Sequence, residues 1–119
     1  MKKSIVFDFD GVIASYNGWK GFDVLGEPNP TVIEAMRKLK IMGYHIVIFT
    51  TRPATQTLVD WLTKHDVPYD DINRNSRNPV MTSCKPIYHA FIDDRAINYH
   101  GQDEMNLLAD IEKLLRKEI

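Results

Sequence analysis

Ile5-Val6-Phe7-Asp8-Phe9-Asp10-Gly11 is the most informative segment of the chain. An apolar run of strand length ends in two carboxylates one residue apart. Side chains alternate along a strand, so Asp8 and Asp10 project to one side while Phe7 and Phe9 point to the other. Two acids at the exit of a buried strand repel each other, and a proton or a cation has to relieve them. Residues 4–9 therefore read as a fully buried strand. Taken alone, Asp-x-Asp also fits a strand-end turn, where Asp tolerates unusual dihedrals.

After this segment, residues 12–30 interleave Gly18, Gly21, Gly26, Pro28 and Pro30 with Tyr16, Trp19 and Phe22, which reads as an ordered loop with room for a small hairpin. Asn29 is placed to cap a helix that has Pro30 at its first position and runs from about Thr31. Val32, Ile33, Met36 and Leu39 form its apolar stripe, and Gly43 stops it. His45 to Thr50 is a second buried strand. Pro53 is expected to open a second helix carrying Leu58, Trp61, Leu62 and His65 on one side and ending before Pro68. A short strand near Asp71–Asn73 precedes a polar loop over 73–79, and Ala90-Phe91-Ile92-Asp93 is another short buried strand. The last helix is predicted over 103–117, with Leu107, Leu108, Ile111, Leu114 and Leu115 as its stripe. Lys113, Arg116 and Lys117 near its end complement the helix dipole.

Strands alternating with helices imply parallel pairing. Continuously apolar strands imply a sheet covered on both faces. The expected class is α/β: a three-layer, Rossmann-like parallel sheet with helices on both faces. No internal repeat or linker interrupts residues 1–119, so they read as one core domain, with 12–30 as a loop or flap near the site.

Composition bounds what this fold can do. A chain of 119 residues with 44% hydrophobic content suits one core. No apolar run approaches the ~20 residues of a membrane span. Met1-Lys2-Lys3-Ser4 could open a signal peptide, but the apolar stretch behind it breaks at Asp8. Cys84 is the single cysteine, so no intrachain disulfide can form, and a cytoplasmic location is expected. The formal net charge of −1 gives no electrostatic case for membrane or nucleic-acid binding, though a local basic patch stays open. The four histidines are scattered without zinc-ligand spacing.

Three polar signals follow predicted parallel strands: Asp8 with Asp10, then Thr50, then Asp93-Asp94. Lys85 lies in the segment leading into the last strand. Ligands of open α/β sheets bind outside the carboxyl ends of the strands, so these segments can share one crevice. Four carboxylates cannot be neutralised by one lysine. A hard divalent cation can do it, and Mg²⁺ is the usual choice beside phosphate oxygens. The Thr50 hydroxyl, the Lys85 ammonium and loop N–H groups after Asp8 are the phosphate donors. Thr51 competes with Thr50 for that role. Arg52 is a further candidate for a substrate phosphate, with a surface arginine at a helix start as the alternative. Tyr16, Trp19 and Phe22 read either as a lid or stacking platform, or as packing beneath a glycine-rich loop.

This order resembles the haloacid dehalogenase superfamily of phosphohydrolases over nearly the whole chain. There, an apolar strand ends in Asp-x-Asp-Gly (here Asp8-Phe9-Asp10-Gly11), a second in Thr or Ser (Thr50), and a Lys (Lys85) precedes a strand ending in an acidic pair (Asp93-Asp94). The resemblance implies that Asp8 is the nucleophile forming an aspartyl-phosphate. Asp10 protonates the leaving group and then activates water. Thr50 and Lys85 hold the phosphoryl group. Asp8, the Asp10 carbonyl and Asp93 bind Mg²⁺, and Asp94 supports the metal water or Lys85. Only 39 residues lie between Asp10 and Thr50 (11 to 49) and 34 between Thr50 and Lys85 (51 to 84), which the core uses up. The chain therefore resembles a capless member with no separate cap domain. Such a site is completed by a large substrate or by a neighbouring subunit of a homo-oligomer. The expected reaction is Mg²⁺-dependent phosphomonoester hydrolysis. The substrate would be a sugar phosphate, a nucleotide or a phosphorylated polymer end, the last being the one way nucleic acid enters. A catalytically silent binding or regulatory domain is the alternative. A receiver-type phosphoacceptor fits worse, because its acidic pair comes early in the chain and its phosphorylated Asp ends a later strand.

Overall fold

The computed structural model describes residues 3–116; residues 1, 2 and 117–119 lie outside them, Lys117 of the expected last helix included. Among the described residues, four strands and three helices follow in the order β1 (Ser4–Phe7), α1 (Pro30–Ile41), β2 (His45–Ile48), α2 (Gln56–Lys64), β3 (Asp71–Ile72), β4 (Ala90–Ile92) and α3 (Glu104–Leu115). The strands form one parallel sheet in the order β3-β2-β1-β4. The architecture is the Rossmann-like α/β class expected, but β4 is not the buried strand expected: it is the edge strand, with Ala90 and Ile92 exposed and Phe91 half-buried.

The periodicity of two sorts the sheet into unlike faces. Phe7, Ile46 and Ile48 face one way and cluster with Ile33 and Met36 of α1 and Leu58 and Leu62 of α2. Phe9, Val12 and Ile13 close that core from the loop after β1. Val6 and Val47 are also fully buried but lie outside this cluster, on the opposite face. That face is covered in part by the β3–β4 crossover over 73–89, which contains no helix. Its packing is polar. Asn75 donates to Ser4 Oγ and to the Ile87 carbonyl, both at 3.0 Å. Asp71 takes the Ser76 N–H and hydroxyl at 2.8 Å and His45 Nε2 at 2.9 Å. Burial works to raise the Asp71 carboxyl, yet these bonds outweigh it and hold the group below its ordinary range.

Helix ends follow sequence chemistry. Asn29 caps α1 by accepting from the Thr31 and Val32 N–H groups, with Pro30 at the first position. Gly43 takes φ +91° just beyond the end, where a side chain would be strained. α2 begins later than Pro53 predicts. Thr55 is its N-cap, accepting from Leu58 N–H, and its own N–H donates to the Pro53 carbonyl, so proline opens a turn rather than the helix. α3 starts after the Asp103 cap as expected, but its stripe is not a core stripe. No α3 residue is buried, and Leu108 and Leu115 are 53% and 77% exposed. Among the described residues, no helix is long and apolar enough to cross a membrane.

Candidate active site

The chain runs from β1 to β2 to β3 towards one edge, then returns past β1 to β4. The direction of winding therefore changes between β1 and β4, and a crevice opens at their carboxyl ends. Asp8 directly follows β1, Asp93 and Asp94 follow β4, and Thr50 stands two residues beyond β2. All four line one cleft of about 490 Å³ together with Asp10 and Thr51. That volume is in the ~300–1,000 Å³ range of small-molecule sites.

Asp8, Asp93 and Asp94 each offer a carboxylate oxygen within 4.8 Å of the others. Burial pushes the Asp8 carboxyl up to about 6; the charges of Asp93, Asp94 and Asp10 add to that, and the Phe9 N–H, 2.8 Å from Asp8 Oδ1, partly offsets it. Gly11 makes the approach of Asp94 feasible. It sits at φ +85°, and a Cβ there would stand 2.9 Å from Asp94 Cγ. Asp93 Oδ1 accepts from Arg95 N–H at 2.7 Å, which fixes the turn after β4. An all-carboxylate, partly buried donor set of this size fits a hard divalent cation.

The Asp10 side chain is not part of this cluster. Arg52 holds it through Nε to Oδ2 at 2.8 Å and Nη2 to Oδ1 at 3.0 Å. The same guanidinium donates to the carbonyls of Gly21 (3.1 Å), Phe22 (3.0 Å) and Val24 (3.1 Å). These five bonds match the five N–H donors of arginine, and the side chain is 2% exposed. Arg52 therefore ties the loop over 12–30 to the acidic end of β1. This corrects its expected role as a phosphate ligand, since no N–H remains to point at one. The loop contains no paired strands of a hairpin; it closes on a single isolated antiparallel bridge between Ala14 and Pro28.

Thr50 is braced from β3. Its N–H donates to Asn73 Oδ1 at 2.8 Å, and Asn73 Nδ2 donates to the Arg52 carbonyl at 2.9 Å. Asn73 sits at φ +59°, a left-handed conformation Asn tolerates. The sequence reading placed it merely at a strand end and missed this brace. Thr50 Oγ1 accepts from Arg52 N–H at 3.1 Å and keeps its own hydrogen to donate into the cleft.

Lys85 is not among the residues lining the cleft. It is exposed, with Nζ 6.0 Å from the Tyr88 ring centroid. Tyr88 packs edge-on against cleft-lining Phe91 at 5.1 Å, so the ammonium stands one ring removed from the wall. Four aromatic rings line the cleft: Tyr16 and Trp19 from the loop, Phe49 just after β2 and Phe91 within β4.

No family model and no curated protein matches this chain. Solved structures do. A conserved protein from Bacteroides thetaiotaomicron has a TM-score of 0.65 at 21% identity, over 98% of this chain and 94% of the other. A crystallised target from Vibrio cholerae has a TM-score of 0.53 at 26% identity, over 93% and 98%. A chain of the Pnkp1/Rnl/Hen1 RNA repair complex has a TM-score of 0.58 at 16% identity, over 98% of this chain but 40% of that one. This chain shares their α/β fold.

Proposed function

We propose that the protein is a Mg²⁺-dependent phosphomonoester hydrolase of the haloacid dehalogenase type, working through an aspartyl-phosphate on Asp8. The observation that carries this reading is the meeting of Asp8, Asp93 and Asp94 at the β1/β4 switch point, with Thr50 on the same cleft. The neighbour from an RNA repair complex, at 16% identity, supports the fold and not the reaction.

Mg²⁺ held by Asp8, Asp93 and Asp94 would neutralise charge on the phosphoryl oxygens and on Asp8. An Asp8 carboxylate oxygen attacks phosphorus and the bond to the leaving oxygen breaks. Asp10 supplies the proton that the leaving oxygen takes, and then accepts one from the water that hydrolyses the acyl phosphate. Each Asp10 oxygen keeps a second lone pair beyond its bond to Arg52, so the pairing orients the group without blocking it. Thr50 donates its hydroxyl to the phosphoryl group, with Thr51 beside it on the rim. Lys85 stands outside the cleft lining beside Tyr88, so its expected hold on the phosphoryl group is the part of this reading that the Lys85→Ala variant tests.

The test is hydrolysis of p-nitrophenyl phosphate with Mg²⁺. Activity should vanish in chelator and in Asp8→Asn, and fall in Lys85→Ala with the melting temperature unchanged. Full activity in Asp8→Asn refutes the nucleophile. Failure of the wild type on a broad phosphoester panel favours a silent binding domain.

A further inference from the structure

The loop that Arg52 anchors carries a ring whose position the hydrolytic chemistry does not explain. Trp19 is 57% exposed although it lines the cleft, and Arg52 Cζ lies 4.8 Å from its ring centroid. Arg52 is itself buried and bonded at five points, so the indole rests against a fixed cation while more than half of Trp19 stays exposed at the cleft it lines. Tyr16 beside it has Arg95 Cζ 5.8 Å from its own centroid. On the sheet side, Phe49 and Phe91 meet edge-on at 6.3 Å and continue to Tyr88. Around the acidic, phosphoryl-sized end there are thus aromatic walls in a cleft too large for phosphate alone.

Resting on the phosphohydrolase reading, we infer that the leaving group is a nucleoside and that Trp19 is the platform on which its base stacks. A flat base gains dispersion and π-contact with an indole that already rests against a fixed guanidinium, which limits the side-chain entropy lost on binding. A polyol would gain less from rings, and it would want a dense set of hydrogen-bond partners along the walls. The same chemistry is presented by a free mononucleotide and by the phosphorylated end of an oligonucleotide.

The experiment uses the full chain. In Asp8→Asn, adenosine 5′-monophosphate should quench tryptophan emission and ribose 5-phosphate should not. The quench should disappear in Asp8→Asn/Trp19→Phe, where Trp61 remains as the internal reference. In the active protein with Mg²⁺, Trp19→Ala should lower the kcat/KM ratio of adenosine monophosphate to ribose phosphate by about five- to 150-fold. Trp19→Phe should retain most of it. An unchanged ratio without a Trp19-dependent quench overturns the stacking assignment, even if ribose phosphate is hydrolysed well. A Trp19-dependent quench in a protein that hydrolyses nothing upholds stacking and rejects the hydrolase reading instead. A phosphorylated hexanucleotide that outcompetes the mononucleotide identifies the polymer end as the source, and the reverse identifies the free nucleotide.

Discussion

Arg52→Met removes five N–H donors while leaving an unbranched apolar chain in the same buried slot. Asp10 then loses both charge-assisted bonds, and the Gly21, Phe22 and Val24 carbonyls lose their donor. Breaking a buried ion pair from one side costs about 3–5 kcal/mol. The Asp10 side chain is 17% exposed and regains some water, so the lower end, about 3 kcal/mol, is expected. For a domain of this length that corresponds to a fall in melting temperature of roughly 10 °C. Arg52→Lys keeps the charge but not the planar fork, and should lose about half as much. Urea unfolding followed by circular dichroism reads the free energies. A cycle with Asp10→Asn isolates the pair, whose coupling should exceed about 1.5 kcal/mol. If the two changes add to within about 0.5 kcal/mol, or Arg52→Met costs less than about 1 kcal/mol, the loop is not held through this contact.

In chelator, Asp8 is raised to about 6 from an ordinary 3.8, so the folded state keeps a proton the unfolded chain has released. Its stability contribution is fully present below 3.8 and is lost as pH rises through 6; Asp8→Asn should flatten this part of a calorimetric pH series and raise the melting temperature at pH 7. Asp70 and Asp71 are shifted the other way. Burial is outweighed by the Ile46 N–H and Lys40 for Asp70, and by Ser76 and His45 for Asp71. Their contribution is present above the ordinary value and lost as pH falls through the lowered ones. Mg²⁺ should raise the melting temperature of the wild type, and Asp93→Asn should remove most of that rise; an equal rise in both places the ion elsewhere. Gly11→Ala combines a positive φ with a collision against Asp94. It should cost about 1–2 kcal/mol in urea unfolding and shrink the Mg²⁺ effect. Asn73→Ala should cost about 2 kcal/mol by unbracing Thr50 and Arg52, read in the same assay.

Local chemistry along the chain was enough to read the elements and what stands at their ends. Apolar β-branched runs made β1 and β2, the Asn29-Pro30 pair opened α1, and the period of two put Asp8 at an exit where Asp93 and Thr50 also arrive. Such features depend on neighbours a few residues away, and alternation or capping chemistry records them. Partners far apart in the chain left no such record. Arg52 is 42 residues from Asp10, and nothing in Thr51-Arg52-Pro53 distinguishes a clamp from a phosphate ligand. Asn73 braces Thr50 only because β3 lies beside β2, and the leucines of α3 read as core only until the sheet is seen to cover so little of them. Tertiary packing decided these. A side chain's direction beyond its own element is set by the surfaces that close around it, and those surfaces come from distant segments.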